Sequence, residues 1–177
     1  MVDRDDHWCR LNEPGATLHS TEAYEKHLDV LEKNDPYAYS LLVGMVQVAV
    51  EEGLDEEDNA AIYRGVNENS SYRTKIGRKA MKKLRQWPDP LEWLGELRIE
   101  HTDATTFFRS YFTDVQYVNG QGDDEVLFCI LGKKEVEGRS TRQIQEKQDR
   151  QIVMAIDCAR SWCRTNMQFR IRLCNTP

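Results

Sequence analysis

Apolar positions recur at helical spacing through the first half of the chain and at strand spacing through much of the second. Ser20 caps an expected helix to about Lys33, with Tyr24, Leu28 and Leu31 on one face. Asn34-Asp35-Pro36 ends it. Asp35 then caps a second helix with Pro36 at its first position, where a missing N–H costs nothing. Leu41, Leu42, Met45, Val46, Ala49 and Val50 give this helix a broad apolar face, and Gly53 closes it. Asp55 caps a third expected helix through about Arg64. A fourth runs from Ser70 or Ser71 to Trp87, with Tyr72, Ile76, Ala80 and Leu84 in one stripe. Residues 1–19 have little periodicity and read as an arm pinned by Trp8.

Pro88-Asp89-Pro90 marks a boundary, after which the period changes. Leu97 to His101 alternates as a strand. Residues 102–112 carry Phe107, Phe108, Tyr111 and Phe112 at helical spacing, but their threonines suit a strand equally. Val115–Val118, the turn Asn119–Gly122 and the apolar run Glu125–Leu131 read as a hairpin. A long helix spans about Thr141 to Arg164. A last strand, Gln168–Cys174, puts Phe169, Ile171 and Leu173 on one face and Arg170 and Arg172 on the other. The expected class is α+β: an arm (1–19), a helical domain (20–87) and an α+β domain (94–177). If 102–112 is helical, the last has the β-α-β-β-α-β order of a ferredoxin-like sandwich; if strand, it is a meander backed by one helix.

The chain has 177 residues with a formal net charge of −6, distributed unevenly. Residues 51–69 carry seven acids against Arg64 alone, whereas residues 70–87 carry seven bases and no acid. Such segments steer partners locally whatever the total. No run is long and apolar enough to span a membrane, and Met1–Trp8 lacks the pattern of a secretory leader, so a cytoplasmic location is expected. The scattered Cys9, Cys129, Cys158, Cys163 and Cys174 fit reduced thiols, with neither a disulfide framework nor zinc spacing.

Residues 53–86 resemble the helix-turn-helix of sigma-factor region 4 and LuxR-type regulators. Ala61 and Gly65 match the small residue and the turn glycine, Val66 the apolar residue after it, and Tyr72 and Ile76 the inward positions of the second helix. Arg64 stands where that family has leucine, and the turn is one residue longer. The resemblance implies that Ser70, Ser71, Arg73, Thr74, Lys75 and Arg78 face duplex DNA. Lys82 and Lys83, nearer the helix C-terminus, would touch flanking phosphates.

No hydrolase, phosphate-loop, zinc-protease or dinucleotide signature occurs, so no catalytic residue, metal or cofactor is assigned. His7, His19, His27 and His101 are scattered. Gly120-Gln-Gly122 followed by Asp123-Asp124-Glu125 reads as a solvated hairpin tip rather than a cation loop, and Trp93 and Leu94 as packing residues. Two functions therefore stand. The first is a non-enzymatic DNA-binding regulator whose C-terminal domain dimerises or contacts a protein. The second is an interaction module of inhibitor, immunity or phage-adaptor type, docking through Glu51, Glu52, Asp55, Glu56, Glu57 and Asp58 without nucleic acid.

Overall fold

The longest of the described strands is buried on both faces, and the other described elements are arranged around it. The computed structural model describes residues 8–54, 70–73, 91–100 and 105–173. In chain order these form β1 (Leu18–Ser20), α1 (Glu22–Asn34), α2 (Pro36–Glu52), β2 (Ser70–Arg73), β3 (Gly95–Glu100), β4 (Thr106–Tyr117), β5 (Glu125–Glu135), α3 (Thr141–Thr165) and β6 (Phe169–Ile171). The described strands make one sheet in the order β1-β5-β4-β3-β2, with β6 also paired to β4. Every pairing is antiparallel except β1 with β5. β3 and β6 share one edge of β4: β3 pairs with Phe107–Phe112, and β6 with Val115–Tyr117. The class is α+β.

Each face of the sheet has its own core. On one, Tyr24 and Leu31 of α1 and Leu42, Met45 and Ala49 of α2 pack with Leu97, Phe108, Phe112 and Phe128. On the other, Ile152, Ala155, Ile156 and Ala159 of α3 pack with Tyr111, Val115, Leu127 and Ile130. α1 and α2 are thus one covering layer of the sheet, not a helical unit apart from it. The register of β4 and β5 steps from Tyr111↔Ile130 to Phe112↔Phe128, leaving Cys129 unopposed. This bulge lets Cys129 and Ile130, consecutive residues, both enter the α3-side core.

Several expected elements form by the expected chemistry. Asp35 Oδ1 accepts from Ala38 N at 3.0 Å, Pro36 opens α2, and Gly53 closes it at φ +82°. A side chain on Gly53 would also meet the carbonyl of Asn12 at 2.8 Å. Ser140 and Gln143 form a capping box on α3. α1 is capped by Thr21 rather than Ser20, because the Ser20 backbone belongs to β1.

Other expectations are corrected. Residues 106–112 are strand, so the second half is the meander β3-β4-β5 backed by α3, and the ferredoxin-like order does not form. With both faces covered, paired aromatics such as Phe107-Phe108 satisfy a strand as well as a helix. Ser70–Arg73 is strand β2, not the start of a helix; it pairs with β3 in the register Ser70↔Ile99 to Arg73↔Glu96. Ladder pairing along an open sheet edge overrides the local helical pattern. Arg172, expected on the outer face, is buried, and Leu173 is exposed. The expected helix 55–64, the rest of the helix after Arg73, the Pro88–Pro90 boundary, Trp87 and Cys174 lie outside the described residues.

Ile156 is fully buried against the sheet. Ile156→Asp places an unpaired carboxylate there and is expected to cost several kcal/mol in urea unfolding. An unchanged midpoint would mean that α3 presents a different face.

Candidate functional site

The N-terminal arm becomes structured because both its neighbours accept it. Trp8, Cys9, Leu11 and Ala16 are buried. Residues 10–12 form a short 3-10 turn, tied by Cys9 N donating to Asn12 Oδ1 at 2.6 Å. Leu54 N donates to Leu11 O at 2.6 Å, and Gly15 N to Val50 O at 2.7 Å, which joins the arm to the end of α2. Val126 N donates to Thr17 O at 2.9 Å, which joins it to the start of β5.

Beneath the arm lies a buried ionic hub. Asp114 Oδ2 accepts from Arg10 N at 3.0 Å and from Arg172 Nη1 at 3.2 Å. The Arg172 guanidinium lies 5.4 Å from the Trp8 ring and 5.5 Å from the Trp93 ring, and also donates to the Trp8 carbonyl. This is how Trp8 pins the arm, and why Arg172 is inside. Burial pushes the Asp114 carboxyl up to about 7; Arg172 pulls it back, and Asp124 adds to the rise.

Outside the hub is a cavity of about 440 Å³, lined by Arg10, Gly15 and Thr17 of the arm, by Tyr117, by Gln121 to Asp124 of the β4–β5 loop and by Glu125 of β5. Its charged lining is Asp123, Asp124 and Glu125 against Arg10, whose guanidinium is turned to the carbonyls of Glu13 and Pro14. Gln116 Nε2 holds Asp124 Oδ2 at 3.3 Å. Glu125 accepts from Tyr117 OH at 2.6 Å through one oxygen and meets His19 Nε2 through the other. The Tyr117 phenol is raised by that bond to Glu125. The His19 ring packs against Trp162 and Phe169, with centroids at 5.1 and 5.4 Å.

Glu51 and Glu52, the first acids of the expected partner-binding segment, are exposed on the last turn of α2, directly after the carbonyl that Gly15 holds. They flank the same arm that walls the cavity. Asp55, Glu56, Glu57 and Asp58 lie outside the described residues. Of the expected DNA-contacting residues, Ser70, Ser71 and Arg73 lie on edge strand β2, and Thr74, Lys75, Arg78, Lys82 and Lys83 lie outside the described residues. Within the described residues, Ser70, Ser71 and Arg73 are therefore extended rather than helical.

The sequence alone marks Asp123–Glu125 as a solvated hairpin tip and holds no link from it to Glu51 and Glu52. Residues more than seventy positions apart gave no local signal of their common neighbour, the arm. Among the described residues no group of three or more His, Cys, Asp or Glu is placed to hold a metal ion, and no helix is long and apolar enough to cross a membrane. No protein-family model, curated protein or solved structure matches the chain.

The hub sets a pH dependence. The Asp114 carboxyl titrates near 7 in the fold and near ~4 in the unfolded chain, so folding takes up a proton between those values. Stability should fall as pH rises from about 4 to about 7, relative to Asp114→Asn, which keeps an acceptor for Arg10 N and Arg172. Parallel urea titrations of the two proteins measure this. A constant difference across that range would contradict the raised carboxyl.

Proposed function

We propose that the protein is an interaction module that docks a basic protein partner on its acidic end. The observation that carries this reading is the arm. Gly15 of the arm lines the cavity with Asp123, Asp124 and Glu125 and also bonds the carbonyl of Val50, the residue before the exposed Glu51 and Glu52. The C-terminus of α2 adds its own negative dipole there. Complementary charge of this kind supplies on-rate and selectivity toward lysine- and arginine-rich surfaces. The run Asp55–Asp58 continues directly from Leu54 and extends the same acidic sequence.

The alternative, a duplex-binding regulator, rests on the basic run from Arg73 to Arg85. Strand β2 weighs against it, because a recognition helix offers its first turn to base edges.

Fluorescence anisotropy of a labelled lysine-rich peptide and a generic 20-base-pair duplex, at low and moderate salt, separates the two. The peptide is expected to bind, and neutralising Glu51, Glu52, Asp123 and Asp124 together should weaken it about tenfold. Neutralising Glu22, Glu25, Asp29 and Glu32 on α1, an equal number of exposed acids, should change it far less. Duplex binding at low salt, lost on replacing Lys82 and Lys83 with alanine, would overturn the proposal in favour of the regulator. Equal loss from both sets of acids would reduce it to non-specific charge.

A further inference from the structure

The layer of α1 and α2 does not close completely on the sheet. His27, Val30 and Leu31 of α1 share the lining of a cavity of about 320 Å³ with Phe108 of β4 and Leu131 of β5. Leu31 and Phe108 are almost wholly buried, whereas Val30 is 56% exposed. The cavity therefore has an apolar floor and a wall that solvent reaches. A cavity of about 150 Å³ lined by such side chains holds benzene, so this one has room for a ring with a substituent.

One polar group on the wall is held in a defined state. Leu131 N donates to His27 Nδ1 at 3.3 Å. The strand register explains why. Val136 N donates to Thr105 O at 3.0 Å, so Leu131, Lys133 and Glu135 turn their backbone groups away from β4. β1 pairs with β5 only as far as Phe128, and the imidazole takes the N–H of Leu131 that a longer β1 would have met. A histidine that accepts through Nδ1 is neutral and carries its proton on Nε2. Burial lowers the His27 pKa and so favours the same neutral ring. Nε2–H is left as a donor on the cavity wall, with no acceptor among the described residues.

The rest of the lining sets the charge of a ligand. Lys133 Nζ is held by Glu135 Oε1 at 2.8 Å and supplies no open cation. Asp35 caps α2 through Ala38 N, and α1 ends at Asn34 with the negative end of its dipole beside the cavity. An anion would meet that dipole and the Asp35 carboxylate. A cation would meet the His27 donor. We propose that this cavity binds a small uncharged one-ring molecule of the phenol or aryl-ketone class, its oxygen accepting from His27 Nε2–H and its ring lying among Val30, Leu31, Phe108 and Leu131. An apolar ring without the oxygen would leave that donor unpaired, which is what makes the site selective.

Nitrogen-15 NMR of the full chain is the primary test, with acetophenone and para-cresol as oxygen-bearing probes and toluene and benzoate as controls. The free protein should show His27 with a bare Nδ1 and a protonated Nε2. At least one oxygen-bearing probe should bind saturably and shift His27 Nε2–H and the Leu131 amide. Toluene and benzoate should each bind about tenfold more weakly or worse. His27→Leu should cost the oxygen-bearing probe about tenfold in affinity and leave toluene nearly unchanged. Val30→Trp, which adds bulk at the exposed wall, should abolish binding of both. A proton on His27 Nδ1, no binding of either oxygen-bearing probe, or toluene binding as tightly as they do would overturn the proposal. So would undiminished acetophenone and para-cresol affinity in folded His27→Leu. Should His27→Leu fail to fold, Val30→Trp decides, and unchanged affinity there would overturn the site.

Discussion

Burial of β4 on both faces is the constraint on which the rest of the structure depends. A strand with Phe108 and Phe112 on one side and Tyr111 and Val115 on the other is stable only between two layers. α1 and α2 supply one layer and α3 the other. β3 and β6 divide one edge of β4 between them, and β5 pairs with Thr106–Val115 along the other. The bulge at Cys129 then follows as a packing adjustment, because it turns one extra side chain toward α3.

The arm is a consequence of the same arrangement. Asp114, near the end of β4, is fully buried, and a buried carboxyl is costly without hydrogen-bond partners. Arg10 N and Arg172 provide them, and in doing so draw the N-terminal segment down between α2 and β5. That docking ties the arm to the end of α2 through Gly15 and to the start of β5 through Thr17. Buried charge is paired at two places in this fold, Asp114 with Arg172 and Glu96 with Arg109, and both pairs leave buried oxygens without a hydrogen bond.

Much of the layer structure was legible in the sequence, because caps and periods are local signals. The Asp35-Pro36 start and Gly53 stop of α2, the 119–122 turn and the amphipathic α3 all rest on residues within one or two turns of each other. Strand β4 was ambiguous for a physical reason: apolar residues on both faces erase the period of two that marks a strand. Arg172 misled because alternation predicts where a side chain points, not whether a buried carboxylate awaits it. The Glu96–Arg109 cluster gave no sign at all, since Glu96, Arg98 and Glu100 alternate with Leu97 and Ile99 as an ordinary solvent-facing row would.

The choice between an interaction module and a duplex-binding regulator turns on the backbone of residues 70–73. Solution NMR of the full chain tests it directly. Extended-strand chemical shifts at Ser70–Arg73, with backbone cross-strand NOEs between Tyr72 and Leu97, are the result this account predicts. Helical shifts through Ser70–Arg73, with sequential amide NOEs and no contact to β3, would contradict it and restore the recognition helix.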